Sequence, residues 1–115
     1  MTNLSEFLQL VPNEVLCGNP DEIMLRNAYV CDLLSDVMGN AREGDIWITI
    51  MRHINIIAVA SLAGIPAIIF PKNIKPEIQV VNKAKSEKIA LITTTLTTFE
   101  ISGKLYQFLK NHEMV

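Results

Sequence analysis

One continuous stretch, from residue 45 to residue 71, limits most strongly what this chain can fold into. It reads DIWITIMRHINIIAVASLAGIPAIIFP. A short run rich in branched and aromatic side chains opens it, a segment of helix length follows over residues 56–63, and a second apolar run covers residues 67–70. Short apolar runs on either side of a helix-length segment are typical of a βαβ unit with buried parallel strands. The stretch therefore predicts strand, helix, strand at the centre of the domain.

The same stretch is apolar enough to suggest a membrane span as the alternative. A spanning helix needs ~20 consecutive apolar residues, but Arg52, His53 and Asn55 divide this stretch, and Gly64 and Pro66 interrupt its second half. An arginine at the bilayer centre costs roughly 2.5–3.5 kcal/mol even on lenient insertion scales. The favoured interpretation is a soluble chain with no membrane partner.

The composition narrows the class of protein. With 115 residues the chain is long enough for one domain with a core of its own. Hydrophobic residues make up 50% of the chain and charged residues 19%, so we expect a second copy of the chain to cover part of the apolar surface. The net charge of −2 and the dispersed lysines and arginines argue against a nucleic-acid partner.

Two cysteines, Cys17 and Cys31, form no Cys-x-x-Cys pattern. The N-terminal segment MTNLSEFLQLV lacks the basic leader and long apolar core of a signal peptide. We therefore expect a cytoplasmic protein with reduced thiols. Whether either thiol responds to redox state stays open, although a buried structural cysteine is the more common case.

Helix and strand patterns alternate along the rest of the chain. Asp32 is expected to cap a helix, and Thr97 with Glu100 forms the capping-box pattern of a last helix. The helix over residues 53–63 is apolar on nearly every side, which predicts burial all round, either by the sheet and its neighbours or by another subunit. The helix after Pro76 is expected to bury Ile78. The fold class is therefore α/β: one three-layer α/β/α domain over residues 1–115, with a mostly parallel sheet of about five short strands.

Polar side chains follow the predicted strands where each strand ends. In an open parallel sheet, ligands bind outside the carboxyl ends of the strands. The residues there combine cations, hydroxyls and helix N-termini, a mixture that suits an anion such as a phosphate. The candidate ligand-binding residues are Asp32, Ser35, Arg52, His53, Asn55, Thr93 and Thr94.

Structural roles remain open for the same residues. Asp32 and Ser35 belong to the types that commonly cap helices, and Arg52 resembles an ordinary surface charge. His53 opens a very apolar helix, where a histidine either bonds to nearby backbone or binds a ligand.

Sequence patterns of autonomous catalysis are missing. The chain has no phosphate-binding loop, dinucleotide fingerprint, zinc-protease pattern or nucleophile elbow. Its two histidines are not at metal-ligand spacing from each other or from a cysteine. We therefore expect no enzyme activity, cofactor or metal. An enzyme with His53 as general acid or base is the least favoured alternative, because no nucleophile or orienting carboxylate is evident.

Several segments together resemble the DRTGG domain family, over nearly the whole chain from the first predicted helix to Leu109. The resemblance rests on the segment YVCDLLSDVMGNAREGDIWIT, the His53-x-Asn55-x-x-Ala58-Val59-Ala60 pattern, the run Ile65-Pro-Ala-Ile-Ile, and the pairs Pro76-Glu77 and Thr93-Thr94 with Thr98-Phe99-Glu100. The chain departs from the family at its namesake, because Arg26-Asn27-Ala28 stands where a glycine-containing step would precede Tyr29. A function that depends on those glycines is in doubt, since glycine allows backbone geometry that arginine and asparagine restrict.

DRTGG domains are similar to the N-terminal domain of HPr kinase/phosphorylase, and they also occur between paired CBS modules in regulated pyrophosphatases. The resemblance implies a three-layer α/β fold and an accessory, often dimer-forming, regulatory role. It does not imply kinase activity, because the phosphate loop of that kinase lies in a separate domain.

The leading functional hypothesis is a non-catalytic regulatory or interaction module that forms a homodimer and binds a protein partner or a small ligand. The residues proposed for the dimer interface are Ile54, Ile57, Val59 and Leu62, which could equally be core. The alternative is a sensor that binds a nucleotide or another phosphorylated metabolite at the strand ends.

Overall fold

The chain alternates between short strands and helices along most of its length. The computed structural model describes residues 2–115. The helices are α1 (Leu4–Leu8), α2 (Leu34–Asn40), α3 (Asn55–Ala63), α4 (Ile78–Ser86) and α5 (Thr98–Asn111). The strands are β1 (Glu14–Cys17), β2 (Asn27–Val30), β3 (Asp45–Ile48), β4 (Ala67–Phe70) and β5 (Ala90–Thr93), and a 3-10 turn covers Pro20–Glu22.

The strands form one sheet in the order β1-β5-β4-β3-β2. Strands β2, β3, β4 and β5 are parallel neighbours in sequence order, and β1 joins the sheet antiparallel to β5. Parallel neighbours need a crossover connection, which α2, α3 and α4 supply on one face of the sheet. The carboxyl ends of the parallel strands therefore meet at one edge of the domain, which we call the carboxyl edge.

Apolar layers lie on both faces of the sheet. On one face, α1 and α5 pack over residues such as Ile46 and Ile92, and the ring centroids of Phe7 and Phe108 are 5.5 Å apart. On the other face, α2, α3 and α4 pack over residues that include the fully buried Trp47. Every residue of β3, β4 and β5 is buried, which explains why these strands read as continuous apolar runs. The three-layer α/β/α prediction is confirmed.

The predicted capping box opens α5. The Glu100 backbone N–H donates to Thr97 Oγ1 at 3.1 Å, and the Thr97 backbone N–H donates to Glu100 Oε1 at 2.9 Å. These contacts satisfy donors that have no partner within the helix. The capping box thus starts the longest helix where the sequence predicts it.

Two local predictions are wrong. Asp32 does not cap α2, because Leu33 occupies the N-cap position and makes no side-chain capping bond. Ile78 is 67% exposed, because it is the first residue of α4 and the helix turns its Val80, Val81 and Ala84 side toward the sheet.

The sheet and the neighbouring elements bury only part of helix α3, since Ala58 and Leu62 lie on its exposed side. Burial of that side by another subunit stays a prediction.

Within residues 2–115, no helix is both long enough and apolar enough to cross a lipid bilayer.

Candidate functional site

The loop after β2 brings Asp32 to the carboxyl edge, where its carboxylate bonds to the neighbouring loop. Asp32 Oδ1 accepts a hydrogen bond from Thr49 Oγ1 at 2.8 Å and another from the Ile50 backbone N–H at 3.0 Å. Both donors come directly after β3. The carboxylate thus joins two loops, while Ser35 lies exposed within α2.

The hydroxyls of Thr93 and Thr94 bond to backbone carbonyls within the domain. Thr93 Oγ1 lies 2.7 Å from the carbonyl oxygen of Ile74 and 3.3 Å from that of Phe70. Thr94 Oγ1 donates to the carbonyl oxygen of Pro12 at 2.6 Å. Both side chains are buried. Their proton-donating capacity is therefore used to connect loops.

His53 and Arg52 form the part of the carboxyl edge that faces solvent. The Asn55 backbone N–H donates to His53 Nδ1 at 3.1 Å. His53 Nδ1 therefore accepts a bond from a backbone donor at the start of α3 that has no partner within the helix. Arg52, His53 and Asn55 are all exposed.

A groove of about 580 Å³ lies where the starts of α3 and α4 come together. We call it the Arg52 groove; its lining residues are Arg52, His53, Ile54, Lys75, Glu77, Gln79 and Val80. It brings together two of the residues that the sequence predicted for a binding site, Arg52 and His53. The other five predicted residues, Asp32, Ser35, Asn55, Thr93 and Thr94, are not among those that line it.

Sequence reasoning missed Lys75, Glu77 and Gln79. The prediction considered only the residues directly after β4, whereas the connection between β4 and α4 continues past Pro76 and returns its polar residues to the Arg52 groove. A signal was present, since Lys75 and Glu77 flank a proline just before a helix, where chains turn sharply.

The Arg52 groove carries charges of both signs. Arg52 and Lys75 are its cations, and Glu77 is the carboxylate that lines it. Lys75 Nζ also lies 3.0 Å from Glu14 Oε1 at the start of β1, with both side chains about half exposed. An exposed ion pair of this kind contributes little to stability, typically about 0–1 kcal/mol. Lys75 thus takes part both in this exposed ion pair and in the lining of the Arg52 groove.

No group of three or more histidine, cysteine, aspartate or glutamate side chains in residues 2–115 is arranged to hold a metal ion.

Two of the four residues that the sequence predicts at a dimer interface are buried within the chain, and two are exposed. Ile57 is fully buried and Val59 is 6% exposed, because both pack against the sheet. They belong to the intramolecular core, which is the alternative that the sequence left open for them, and not to an exposed surface. Ile54 is 39% exposed and Leu62 is 77% exposed, so a role for these two in an interface remains a prediction.

Comparison with solved structures finds chains of similar fold. The crystal structure of the CBS and DRTGG domains of the regulatory region of a Clostridium perfringens pyrophosphatase, complexed with its activator diadenosine tetraphosphate, matches with a TM-score of 0.72. The identity is 22%, and the match covers 88% of this chain and 44% of that chain. The fold is DRTGG-like. The DRTGG resemblance predicted from the sequence is thereby confirmed at the level of the fold, while the similarity to HPr kinase/phosphorylase stays a prediction.

The present chain spans less than half of that pyrophosphatase chain. No protein-family model matches the sequence, and a search of curated proteins finds no match.

Proposed function

We propose that this chain is a non-catalytic regulatory module. The observation that carries the proposal is the fold shared with the regulatory region of the pyrophosphatase, at a TM-score of 0.72. The contacts at the carboxyl edge support it, because Asp32, Thr93 and Thr94 use their polar atoms to connect loops. The hydroxyls of Thr93 and Thr94, which are bonded to carbonyl oxygens within the domain, are therefore not free to act as nucleophiles.

We propose a small phosphorylated ligand, such as a nucleotide, as the signal that the module senses. The Arg52 groove supports this candidate, because Arg52 presents a guanidinium that suits a phosphate and Lys75 stands on the same groove. The pyrophosphatase region was solved with diadenosine tetraphosphate, an activator of the same chemical class. The bond from the Asn55 N–H uses only Nδ1 of His53. The other ring nitrogen, Nε2, is left for a contact with a ligand in the groove.

Thermal shift tests this ligand proposal directly. A panel of nucleotides and phosphorylated metabolites is added to the chain, and the midpoint of unfolding is followed. A ligand at 100 times its Kd adds about 2.7 kcal/mol to the free energy of unfolding, which raises the midpoint measurably. Arg52→Ala should weaken the binding of a ligand found in this way by more than about tenfold.

Arg42→Ala is the matched control for Arg52→Ala. Arg42 is equally an exposed arginine in a loop, but it precedes β3 and so lies at the opposite end of the strands. Its replacement should leave affinity unchanged. An unchanged affinity in Arg52→Ala would contradict the assignment of the site to the Arg52 groove. No shift with any member of the panel would contradict a phosphorylated ligand and favour a protein partner.

We propose further that the module is a homodimer that works in the cytoplasm. Many large apolar side chains are exposed in a single copy of the chain, which supports association of two copies. They include Leu33, Met38, Leu62 and Phe99. Both cysteines are free thiols, which fits a reducing compartment. Sedimentation velocity at micromolar concentration tests the dimer, and a species that sediments only as monomer would contradict it.

A further inference from the structure

The two edges of the sheet differ in how they are protected against pairing with another chain. At the β1 edge, the register shifts between Val15 and Cys17, and Glu14 places a charge on the strand. Bulges and charges of this kind prevent edge strands from pairing. At the other edge, β2 pairs with β3 in unbroken register over Asn27–Val30 and carries no charged residue. β2 is therefore the open edge.

Every second residue of β2 directs its backbone N–H and C=O groups away from the sheet. The Cys31 N–H donates to the carbonyl oxygen of Ile48 in β3 at 3.3 Å. Because alternate residues of a strand bond to opposite sides, Ala28 and Val30 direct their N–H and C=O groups outward. The Ala28 N–H has only a local partner, since it donates to Asn27 Oδ1 at 2.8 Å. The outward groups of Ala28 and Val30 thus form a short template for another strand.

An apolar groove of about 430 Å³ adjoins this edge. We call it the Tyr106 groove; its lining residues are Asn27, Ala28, Val30, Ile48, Ser102, Leu105, Tyr106, Leu109 and Val115. Val30, Tyr106 and Val115 are 49%, 52% and 43% exposed. A strand added to β2 would bring its own apolar side chains over this groove, so the backbone template and the apolar surface suit the same occupant.

The charges beside β2 favour a second copy of the same strand as that occupant. Arg26 precedes the strand and Asp32 follows it, and both residues are exposed. Antiparallel pairing about Tyr29 places Arg26 of one copy opposite Asp32 of the other, twice, through the two-fold symmetry. Parallel pairing would place like charges opposite each other, which destabilises a sheet. Within its own chain Asp32 uses Oδ1, and Arg26 uses one guanidinium N–H, which donates to the carbonyl oxygen of Glu43 at 3.3 Å. Asp32 Oδ2 and the other N–H groups of Arg26 are therefore left for a contact across the pair.

We infer that the proposed homodimer forms by antiparallel pairing of β2 with β2 of a second copy, with Tyr29 on the two-fold axis. This inference rests on the dimer proposed above and names its surface. In this register Ala28 lies opposite Val30 of the partner copy, and the outward N–H and C=O groups of the pair bond to each other. The two sheets then form one continuous sheet, and the two Tyr106 grooves lie side by side across the axis.

A disulfide cross-link tests this register. Pairing about Tyr29 places Asn27 of one copy opposite Cys31 of the other, at a Cα separation of about 4.5 Å, which lies within the disulfide range of ~4.4–6.8 Å. Within one chain, the same residues are separated by about 13 Å of extended strand and cannot be bridged. Asn27→Cys treated with oxidised glutathione should therefore give a covalent dimer. The double variant Asn27→Cys/Cys31→Ser, which retains only the buried Cys17 as a second thiol, should not.

Sedimentation of surface variants tests the same interface without cross-linking. Val30→Lys places a charge in the centre of the proposed pair and should raise the Kd of the dimer by more than about tenfold. Val15→Lys is the matched control, since Val15 is a valine of similar exposure, 41%, on the other edge of the sheet. Leu62→Lys tests the other predicted interface, on the exposed side of α3, which pairing through β2 would leave uncovered. If the dimer forms through β2, Val15→Lys and Leu62→Lys should both leave the Kd unchanged.

The outcomes separate this inference from the proposed dimer. If the wild-type chain is a dimer, Val30→Lys remains a dimer and Asn27→Cys gives no cross-link, pairing through β2 is overturned while the homodimer stands. Loss of the dimer in Leu62→Lys alone would assign the interface to α3. A wild-type chain that is monomeric at every concentration would overturn both the proposed homodimer and its surface.

Discussion

Tyr29 in β2 donates its hydroxyl hydrogen bond to Asp36 Oδ1 in α2, so the open edge strand is tied to the helix that follows it. The bond to the carboxylate, together with partial burial, raises the pKa of Tyr29 from 10.0 to about 12. The negative charge of Asp36 opposes a second negative charge on the phenolate. Loss of the tyrosine proton therefore breaks the bond and places two anions together.

The bond between Tyr29 and Asp36 should make the stability of the domain fall at alkaline pH. Because the folded pKa of Tyr29 lies above the unfolded value, the contribution is fully present below pH 10.0 and is lost as pH rises through about 12. Tyr29→Phe should remove that loss. Urea unfolding of both proteins across this window measures it, with Tyr106→Phe, an exposed tyrosine in α5, as the control. Parallel curves for wild type and Tyr29→Phe would contradict the assignment.

Thr94 should act as a structural residue even though it lies at the carboxyl edge. Its hydroxyl donates to the Pro12 carbonyl oxygen at 2.6 Å and accepts from the Leu96 N–H at 3.3 Å. Thr94→Val keeps the shape and removes both bonds, which should lower the free energy of unfolding by about 1–3 kcal/mol. The fluorescence of Trp47, the one tryptophan of the chain, follows the unfolding.

Thr95→Val is the matched control for Thr94→Val, because Thr95 is exposed. It should change stability by less than about 0.5 kcal/mol. Equal effects of the two substitutions would contradict a structural role for the Thr94 hydroxyl.

The capping box of α5 should make the domain sensitive to acid. The bonds of Glu100 to the Thr97 backbone and side chain lower the pKa of the Glu100 carboxyl below its usual 4.5. The folded chain thus favours the ionised form, so this contribution is present above pH 4.5 and is lost as pH falls through the lower folded pKa. Glu100→Gln keeps an acceptor for the Thr97 N–H and should flatten the acid limb of the stability curve. An unchanged acid limb would show that Glu100 is not linked to folding.

Two glycine-to-alanine substitutions should change the free energy of unfolding in opposite directions. Gly64 ends α3 with φ +73°, and a Cβ there would lie 2.8 Å from Glu43 Cγ. Gly64→Ala should therefore destabilise the domain by more than about 1 kcal/mol. Gly103 lies inside α5 with open space around it, and Gly103→Ala should stabilise it by about 0.5–1 kcal/mol. Chemical denaturation of both variants measures the difference, and a stabilising Gly64→Ala would contradict the left-handed helix end.

Much of the candidate site could not be read from the order of residues. Asp32 looks like a helix cap, but in the fold it accepts bonds from Thr49 and Ile50 in the next loop. Arg52 and Lys75 are far apart along the chain and line one groove only because α3 and α4 begin side by side. Contacts of this kind depend on where the crossovers place the loops, which a local pattern does not encode.

The alternation of elements, the buried central strands and the start of α5 were predictable from local patterns, because those features depend on side chains within a few residues of one another. The Thr97–Glu100 box needs only one helical turn, and the runs in β3 and β4 need only to be apolar. The exposed side of α3, in contrast, is set by how the helix packs on the sheet. Nearly every position of that helix is apolar, so periodicity could not distinguish Ile57, which packs on the sheet, from Leu62, which does not.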